Sequence, residues 1–190
     1  YEHMNEPELI RIEPDKVTAD RVRQAIFYPS NEDKMPLLIG LVREMGDGRI
    51  MIFVNMKREA ERVQDYLEAN GIHAAAISGD VPQKKRLRML MDFQAGTLPV
   101  LIGTDVASRG LHVPDVHYVI NYDLPQDAED YVHRIGRTAR AGAAGDAISL
   151  GCETYVITMP EIEKYIGHKI PVASYDPNDL PEIVKPKPRP

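Results

Sequence analysis

The sequence predicts an α/β fold in which a mainly parallel sheet is covered by helices on both faces. Three observations lead to this prediction. Short apolar runs recur along the chain, the segments between them have the apolar spacing of amphipathic helices, and glycine or proline separates the two kinds of segment. Strands that alternate with helices in this way form βαβ units, which build parallel sheets.

Six short segments are predicted strands. They are rich in β-branched and other apolar residues, and they follow one another at 24–28, 50–54, 74–78, 100–102, 116–122 and 147–150. Residues 50–54 are apolar without interruption, which is typical of a strand that is buried on both faces of a parallel sheet.

Five segments are predicted helices, at 32–45, 57–70, 82–93, 127–135 and 155–167. Asn31 is placed to cap the first helix, Gly71 ends the second, and Pro160 must start or interrupt the last. In the first three helices the residues expected to face the sheet are Leu37, Leu38, Leu41, Val42, Ala60, Val63, Leu67, Leu87, Leu90 and Met91.

The domain itself is expected to span residues 23–172. Residues 1–22 are polar, acidic and interrupted by prolines, so they are predicted to form a linker. Residues 173–190 are proline-rich and have no apolar periodicity, so they are predicted to form an extended, mobile tail.

Composition narrows the class of protein. The chain has 190 residues, 43% of them hydrophobic, which is enough for one domain with a full core. Its single cysteine excludes an internal disulfide, and no two histidines have the i, i+4 spacing of a zinc-binding helix, so no metal site is expected. The sequence contains neither an apolar run of about 18 residues nor a signal peptide, so we expect a cytoplasmic protein without a membrane partner.

The charge of the chain is unevenly distributed. The formal net charge is −6, which alone argues against a general nucleic-acid-binding protein. Basic residues nevertheless concentrate in two segments, 84–88 and 134–140. Because salt limits the reach of a charge to about 8–10 Å, an acidic protein can still carry a basic groove.

The second basic segment has an arginine at every third position, Arg134, Arg137 and Arg140, with no acid among them. A helical conformation would place all three on one broad face, where planar and permanently charged guanidinium groups suit a phosphate ligand. A solvated basic helix is the alternative interpretation of this segment.

Other polar residues follow the predicted strands, at the edge where parallel sheets bind their ligands. Backbone N–H groups at glycines, a hydroxyl group and nearby cations suit a sugar-phosphate strand that is bound without base recognition. The candidates are Asn55, Lys57, Gly79, Asp80, Arg86, Gly103 and Thr104. Simpler interpretations are that Asp80 caps the following helix, that Gln83 holds the local loop, and that residues 84, 85 and 88 form a solvated face.

Four segments, in order, resemble the motifs of one enzyme family. Residues 103–111 (GTDVASRGL) and 133–140 (HRIGRTAR) resemble motifs V and VI of the DEAD-box RNA helicases. Residues 50–55 resemble motif IV, and residues 78–80 with Gln83 and Arg86 resemble motif IVa. The order and spacing match over about residues 25–155. Residues 28–32, 81–88, 109–112 and 165–168 further resemble a bacterial subgroup of RNA-degradosome helicases.

The resemblance implies the C-terminal RecA-like domain, a three-layer fold, of a bacterial ATP-dependent RNA helicase. Arg137 and Arg140 would then be catalytic arginine fingers that contact the γ-phosphate of ATP. His112 stands where most family members have an aspartate that binds the ATP ribose, so it is the third candidate for ATP binding. The Mg²⁺ that accompanies ATP would be held mainly by the first domain of the same protein.

The resemblance also implies contacts between domains and with RNA. Arg109, His133 and Arg134 would contact the first RecA-like domain, although a surface ion pair is the simpler interpretation of Arg109. The seven strand-end candidates would bind single-stranded RNA. Residues 1–22 would be the end of the first domain and the linker, and an endoribonuclease scaffold of an RNA degradosome would be a further partner.

Two sequence features of the first domain are missing, because the chain contains neither a G-x-x-x-x-G-K-[ST] phosphate loop nor a D-E-A-D run. We therefore expect the second half of an enzyme that acts in RNA unwinding or turnover, and we expect this half alone not to hydrolyse ATP. One rival is a related helicase that acts on DNA. Another is a non-catalytic module that docks an endoribonuclease or another RNA-decay partner.

Overall fold

A computed structural model of the chain describes residues 22–109, 115–138, 145–153 and 156–190. Its described strands form one six-stranded sheet in which every pairing is parallel. The strands are β1 (Val22–Phe27), β2 (Ile50–Phe53), β3 (Ala74–Ile77), β4 (Val100–Gly103), β5 (Tyr118–Asn121) and β6 (Gly145–Leu150). The helices are α1 (Lys34–Glu44), α2 (Lys57–Ala69), α3 (Gln83–Ala95), α4 (Asp105–Ser108), α5 (Ala128–Ile135) and α6 (Met159–Ile166).

The strand order β1-β6-β5-β2-β4-β3 determines where ligands can bind. From β2 the chain crosses to β3 and β4 on one side of the sheet, and then passes to β5 and β6 on the other side. The direction of crossing therefore changes between β2 and β5. At such a switch point the connections diverge and leave a crevice outside the carboxyl ends of the strands.

One face of the sheet is covered by α1 and α2. The inward positions predicted for these two helices are confirmed, because all seven side chains are buried in one apolar cluster with the strands. Those side chains are Leu37, Leu38, Leu41, Val42, Ala60, Val63 and Leu67. Burial of each large side chain stabilises the fold by about 1.5–3 kcal/mol.

The other face is covered by α3, α5 and α6, so helices cover both faces of the sheet, as predicted. Leu90 and Phe93 are the buried residues of α3 and contact the second apolar cluster. The inward positions predicted for Leu87 and Met91 are wrong, because these side chains are 50% and 67% exposed. Only the narrow stripe formed by Leu90 and Phe93 faces the sheet, and residues 87 and 91 lie beside this stripe, on the flank that turns to solvent.

Some helix boundaries differ from the prediction. α1 begins at Lys34 with Asp33 at its N-cap, so Asn31 does not cap it. Pro160 lies in the first turn of α6, where the missing N–H costs little, and it therefore starts the helix. The four-residue helix α4 was not predicted, because it is too short to have an apolar period.

The tail from residue 173 packs against the domain in a largely extended conformation, and its predicted mobility stays a prediction. Its Tyr175 hydroxyl donates to Asp33 at 2.7 Å, and the backbone of Val184 exchanges hydrogen bonds of 2.8 and 2.9 Å with the Asn70 side chain. Arg189 makes a two-pronged ion pair with Asp65 at 2.7 and 2.8 Å. These contacts hold an extended chain over the outer surface of α1 and α2.

Within the described ranges, no helix combines the length and apolarity needed to span a bilayer.

Candidate functional site

A crevice of about 510 Å³ opens at the carboxyl end of the sheet, beside α4 and α5. We call it the arginine crevice, because three arginines contribute to its lining. The lining residues are Phe53, Asp105, Ser108, Arg109, Asp130, Val132, His133, Arg134, Gly136 and Arg137. Its position matches the edge at which ligands of parallel sheets bind.

The floor of the arginine crevice is organised by Arg134, whose side chain is 0% exposed. Its Nε and Nη2 donate to the two carboxylate oxygens of Asp105 at 2.9 and 2.7 Å. Nη2 also donates to Asn55 Oδ1 at 2.8 Å, and Nη1 donates to the Asp123 carbonyl oxygen at 2.7 Å. The guanidinium thus connects the ends of β2, β4 and β5, and a fork-shaped donor is suited to this task.

A second buried cation completes this network. Lys34 Nζ lies 3.2 Å from Asp123 Oδ1 and 4.1 Å from the centre of the Tyr122 ring. The other Asp123 oxygen accepts from the Asn55 backbone N–H at 3.0 Å. Two cations, Lys34 and Arg134, therefore balance two carboxylates, so that no charge is left uncompensated in the network.

Arg134 does not have the role that the sequence predicted. α5 ends at Ile135, so Arg134 and Arg137 do not lie on one helix, and Arg134 is neutralised by an acid of its own chain. The prediction that Arg134 contacts a second domain is corrected: its guanidinium is enclosed within this one. The burial of Arg134 could have been predicted from the helical spacing of the sequence, because Tyr131, Arg134 and Ile135 form one buried stripe of α5.

The other two arginines that line the crevice, Arg137 and Arg109, lie at its rim. Arg137 is half-buried just beyond the end of α5, and its Nη2 lies 3.5 Å from the Ser108 carbonyl oxygen. Arg109 is exposed, with its Nη2 3.5 Å from Asp130 Oδ1, which is a long ion pair at the surface. Burial, followed by the nearby carboxylates, raises the pKa of Asp130. His133 is exposed at the same rim.

Two of the predicted ATP-contacting residues, His112 and Arg140, lie outside the described residues. Their predicted roles stay predictions.

A second, smaller cavity of about 290 Å³ lies beside the arginine crevice, at the ends of β3 and β4. We call it the strand-end groove. It is lined by Lys57, Ile77, Ser78, Gly79, Arg86, Thr104, Val106, Ala107 and Arg109. Four of the seven predicted RNA-binding residues are therefore brought together in one groove, from four separate segments of the chain.

Arg86 is the best-placed phosphate donor in this groove. Its Nη2 donates to Gln83 Oε1 in the first turn of the same helix, so Gln83 orients the guanidinium. Arg86 Nε is buried, and no hydrogen-bond partner reaches it within the part of the chain that the structure describes. A buried N–H of a cation costs free energy unless an acceptor reaches it, so this donor favours an anionic ligand.

Two other residues of the groove present backbone or hydroxyl groups. Nothing lies within 4 Å of the position that a Cβ of Gly79 would take, so a ligand can approach this backbone closely. The Thr104 hydroxyl oxygen caps α4 by accepting from the Ala107 N–H at 3.2 Å. Its own O–H can still donate to a ligand, since a hydroxyl both accepts and donates.

The three other RNA-binding candidates lie outside the groove lining. Asn55 uses its side chain inside the domain, because Nδ2 donates to the Leu124 carbonyl at 2.8 Å while Oδ1 accepts from Arg134. Asp80 forms an ion pair with Lys57, and it does not cap α3, whose N-cap is Pro82 without a side-chain bond. Gly103 is buried in β4.

The two cavities are separated by α4. Its N-cap Thr104 lines the groove, Asp105 and Ser108 line the crevice, and Arg109 lines both. Any shift of this short helix would therefore alter the two sites together.

Among the residues that the structure describes, no group of three histidine, cysteine, aspartate or glutamate side chains could hold a metal ion.

The chain is similar in sequence to a described protein family and to known proteins. Residues 33–142 match the family described as "Helicase conserved C-terminal domain". The ATP-dependent RNA helicase RhlB of Histophilus somni (strain 2336) is 55% identical over 182 residues, which are 96% of this chain and 43% of that protein. The chain thus spans less than half the length of the curated relatives it matches.

Two solved structures show the same architecture. The Escherichia coli DEAD-box protein SrmB, bound to regulator of ribonuclease activity A, has a TM-score of 0.78 and 32% identity over 88% of this chain and 98% of that one. Saccharomyces cerevisiae Dbp5, bound to RNA and ADP BeF3, has a TM-score of 0.75 and 34% identity over 90% of this chain and 45% of that one. The predicted RecA-like fold is confirmed.

Proposed function

We propose, from the premise that this chain belongs to the helicase conserved C-terminal domain family and is similar to DEAD-box RNA helicases, that it is the second RecA-like half of an ATP-dependent RNA helicase. In this proposal the arginine crevice faces the triphosphate of ATP and the strand-end groove holds single-stranded RNA. The phosphate-binding loop and the Mg²⁺ ligands belong to the first domain, so this half alone does not hydrolyse ATP.

On the ATP side, Arg137 is the described residue that contributes an arginine finger, and Arg140 is proposed as the second. ATP supplies the phosphoryl group, while the chain supplies positive charge where negative charge spreads over the transferred phosphate. Such a finger is worth about 10³–10⁵ in rate. Arg134 acts on the phosphate only indirectly, because it fixes the end of α5 from which Arg137 projects.

On the RNA side, Lys57 and Arg86 supply cations, Gly79 an accessible backbone and Thr104 a hydroxyl donor. None of these groups reads base edges, so we expect binding that tolerates any sequence. The buried and unpartnered Nε of Arg86 is the single observation that most favours an anionic ligand here.

The position of α4 supports coupling between the two sites. Thr104 at its start lines the groove, and Asp105, one residue later, holds the buried Arg134 beneath the crevice. RNA that contacts Thr104 would thereby bias the position of the arginines. Closure of two such domains around both ligands would assemble the catalytic site.

The test separates the two sites in the full-length protein. We expect Arg137→Ala to lower RNA-stimulated ATP hydrolysis by about 10³-fold while the Kd for single-stranded RNA changes less than about threefold. We expect Arg86→Ala to weaken RNA binding by about tenfold and by the same factor on unrelated sequences, because a phosphate contact carries no sequence information. Arg88→Ala is the matched control, since Arg88 is an exposed arginine of the same helix.

Two results would contradict the proposal. Hydrolysis within a few-fold of wild type in Arg137→Ala would exclude the finger role. A sequence-selective loss in Arg86→Ala would exclude a phosphate contact. The 190-residue chain alone should show no ATP hydrolysis with or without RNA.

For the cell we propose a cytoplasmic helicase that acts in RNA degradation, with RNA, its own first domain and an endoribonuclease scaffold as partners. The degradosome-type motifs and the similarity to proteins named RhlB support this assignment. A non-catalytic docking role is the second candidate. Activity of the full-length protein distinguishes the two, because a docking module would bind a partner without RNA-stimulated hydrolysis.

A further inference from the structure

The outer face of α3 carries apolar side chains that its own domain does not cover. Leu87 and Met91 are 50% and 67% exposed, whereas Leu90 and Phe93, on the neighbouring face of the helix, are buried. Residues 87 and 91 are four positions apart, so their side chains are neighbours along one face of the helix. They form a small apolar patch about one helical turn long.

The same face is basic. Successive residues of a helix are 100° apart, so one side of α3, about 100° wide, carries four of its side chains: Lys84, Leu87, Arg88 and Met91. Lys84 and Arg88 are both exposed, and the carboxylate recorded near them is Asp92, at 3.8 Å from Arg88 Nε. We call these four residues the α3 outer face. It is an apolar pair with a cation beside each member.

This combination favours a protein ligand over RNA. Phosphates would pair with the two cations but would leave Leu87 and Met91 in water. Single-stranded nucleic acid gains its non-electrostatic affinity from aromatic stacking, and the aromatic residue of α3, Phe93, is buried on the other side. An amphipathic helix, in contrast, presents apolar residues at i and i+4 with a choice of flanking charges.

We propose that the α3 outer face docks an acidic amphipathic helix of a partner protein. The partner's apolar residues pack on Leu87 and Met91, and its carboxylates pair with Lys84 and Arg88. The patch is small, so the contact is of the transient class. It lies on the helix that carries Arg86, so a docked partner sits next to the strand-end groove without occupying it.

The experiment measures fluorescence anisotropy of a labelled 15-residue helical peptide with leucines at i and i+4 flanked by glutamates. The chain is titrated as wild type, as Leu87→Ser/Met91→Ser, as Lys84→Gln/Arg88→Gln, and as Ile157→Ser. Ile157 is the matched control, because it is an apolar side chain elsewhere on the surface and is 79% exposed. A peptide with glutamine in place of glutamate and a single-stranded 12-mer RNA are measured in parallel.

We expect Leu87→Ser/Met91→Ser to weaken peptide binding at least fivefold, with Ile157→Ser within twofold of wild type. Lys84→Gln/Arg88→Gln should lower affinity for the glutamate peptide about fivefold at low salt and leave the glutamine peptide unchanged. RNA affinity should be unchanged in Leu87→Ser/Met91→Ser.

Three results would overturn the proposal. The first is equal peptide affinity for wild type and Leu87→Ser/Met91→Ser. The second is an RNA affinity that falls as much as the peptide affinity, which would assign this face to RNA. The third is a lower thermal unfolding midpoint in the apolar double variant, which would show that both side chains stabilise their own domain. The peptide-binding, RNA-binding and thermal measurements do not depend on ATP, so they would still test this proposal if the helicase proposal failed.

Discussion

Replacement of Arg134 by methionine tests the buried network most directly. Methionine fills a similar volume but removes all five hydrogen bonds that the guanidinium donates. It also leaves Asp105 and Asn55 without their cation, at the floor of a crevice where water can only partly replace it. The removal of one partner from a buried ion pair costs about 3–5 kcal/mol, because the other charge stays desolvated.

That loss is large compared with the total stability of a domain, which is about 5–15 kcal/mol. For a chain of this size each kcal/mol lowers Tm by about 2–4 °C, so the expected decrease is about 6–20 °C. The assay is thermal and urea unfolding of the 190-residue chain, followed by circular dichroism. Arg43→Met is the control, since Arg43 is exposed and makes one hydrogen bond of 3.2 Å, to the Asn70 carbonyl. Its cost should be below about 1 kcal/mol.

A double variant adds a second criterion. Arg134→Met/Asp105→Leu removes both members of the pair, so it should recover at least about 1 kcal/mol relative to the sum of the single losses. The reasoning is refuted if Arg134→Met costs less than about 1 kcal/mol, or if the two losses simply add.

Two further predictions concern the tail and the alkaline limit of stability. Deletion of residues 174–190 removes the half-buried side chains of Tyr175, Leu180 and Ile183 and uncovers the apolar surface on which they pack, so urea unfolding should show a loss of about 3 kcal/mol. Arg189→Ala should cost less than about 1 kcal/mol, and equal costs would contradict the packing argument. Burial raises the pKa of Tyr122 from 10.0 to about 12. The unfolded chain therefore loses the Tyr122 proton at a lower pH than the folded chain does. The resulting contribution to the free energy of unfolding, at most about 3 kcal/mol, is complete below pH 10 and is lost as the pH rises towards 12. Tyr122→Phe should flatten this part of the pH profile of stability, and an unchanged profile would contradict this assignment to Tyr122.

The sequence was sufficient to predict the sheet and the buried faces of the helices that have one simple apolar stripe. In α1 and α2 every predicted inward residue is buried, because these helices cover the sheet with one continuous face. The same reasoning failed at Leu87 and Met91. Apolar residues there fit the helical period as well as Leu90 does, and composition cannot tell a stripe that faces the sheet from one that faces solvent.

The candidate site was predicted in its location more than in its detail. Strand ends were expected to hold the chemistry, and Lys57, Gly79, Arg86 and Thr104 do meet there. The burial of Arg134 was missed, because a long-range partner such as Asp105 cannot be identified from local sequence. The docking of the tail was missed for the same reason, since its hydrogen bonds join residues more than a hundred positions apart.

The pairing of β1 has a consequence for synthesis on the ribosome. One edge of β1 pairs with β6, which lies 123 positions later, and on its other edge Ile26 exchanges hydrogen bonds with Pro171 and Ala173. As translation proceeds, β1 emerges long before either neighbour exists. The nascent chain must therefore carry an unpaired apolar strand until most of the domain has been made, so this edge of the sheet assembles late and its strand is exposed to aggregation until then.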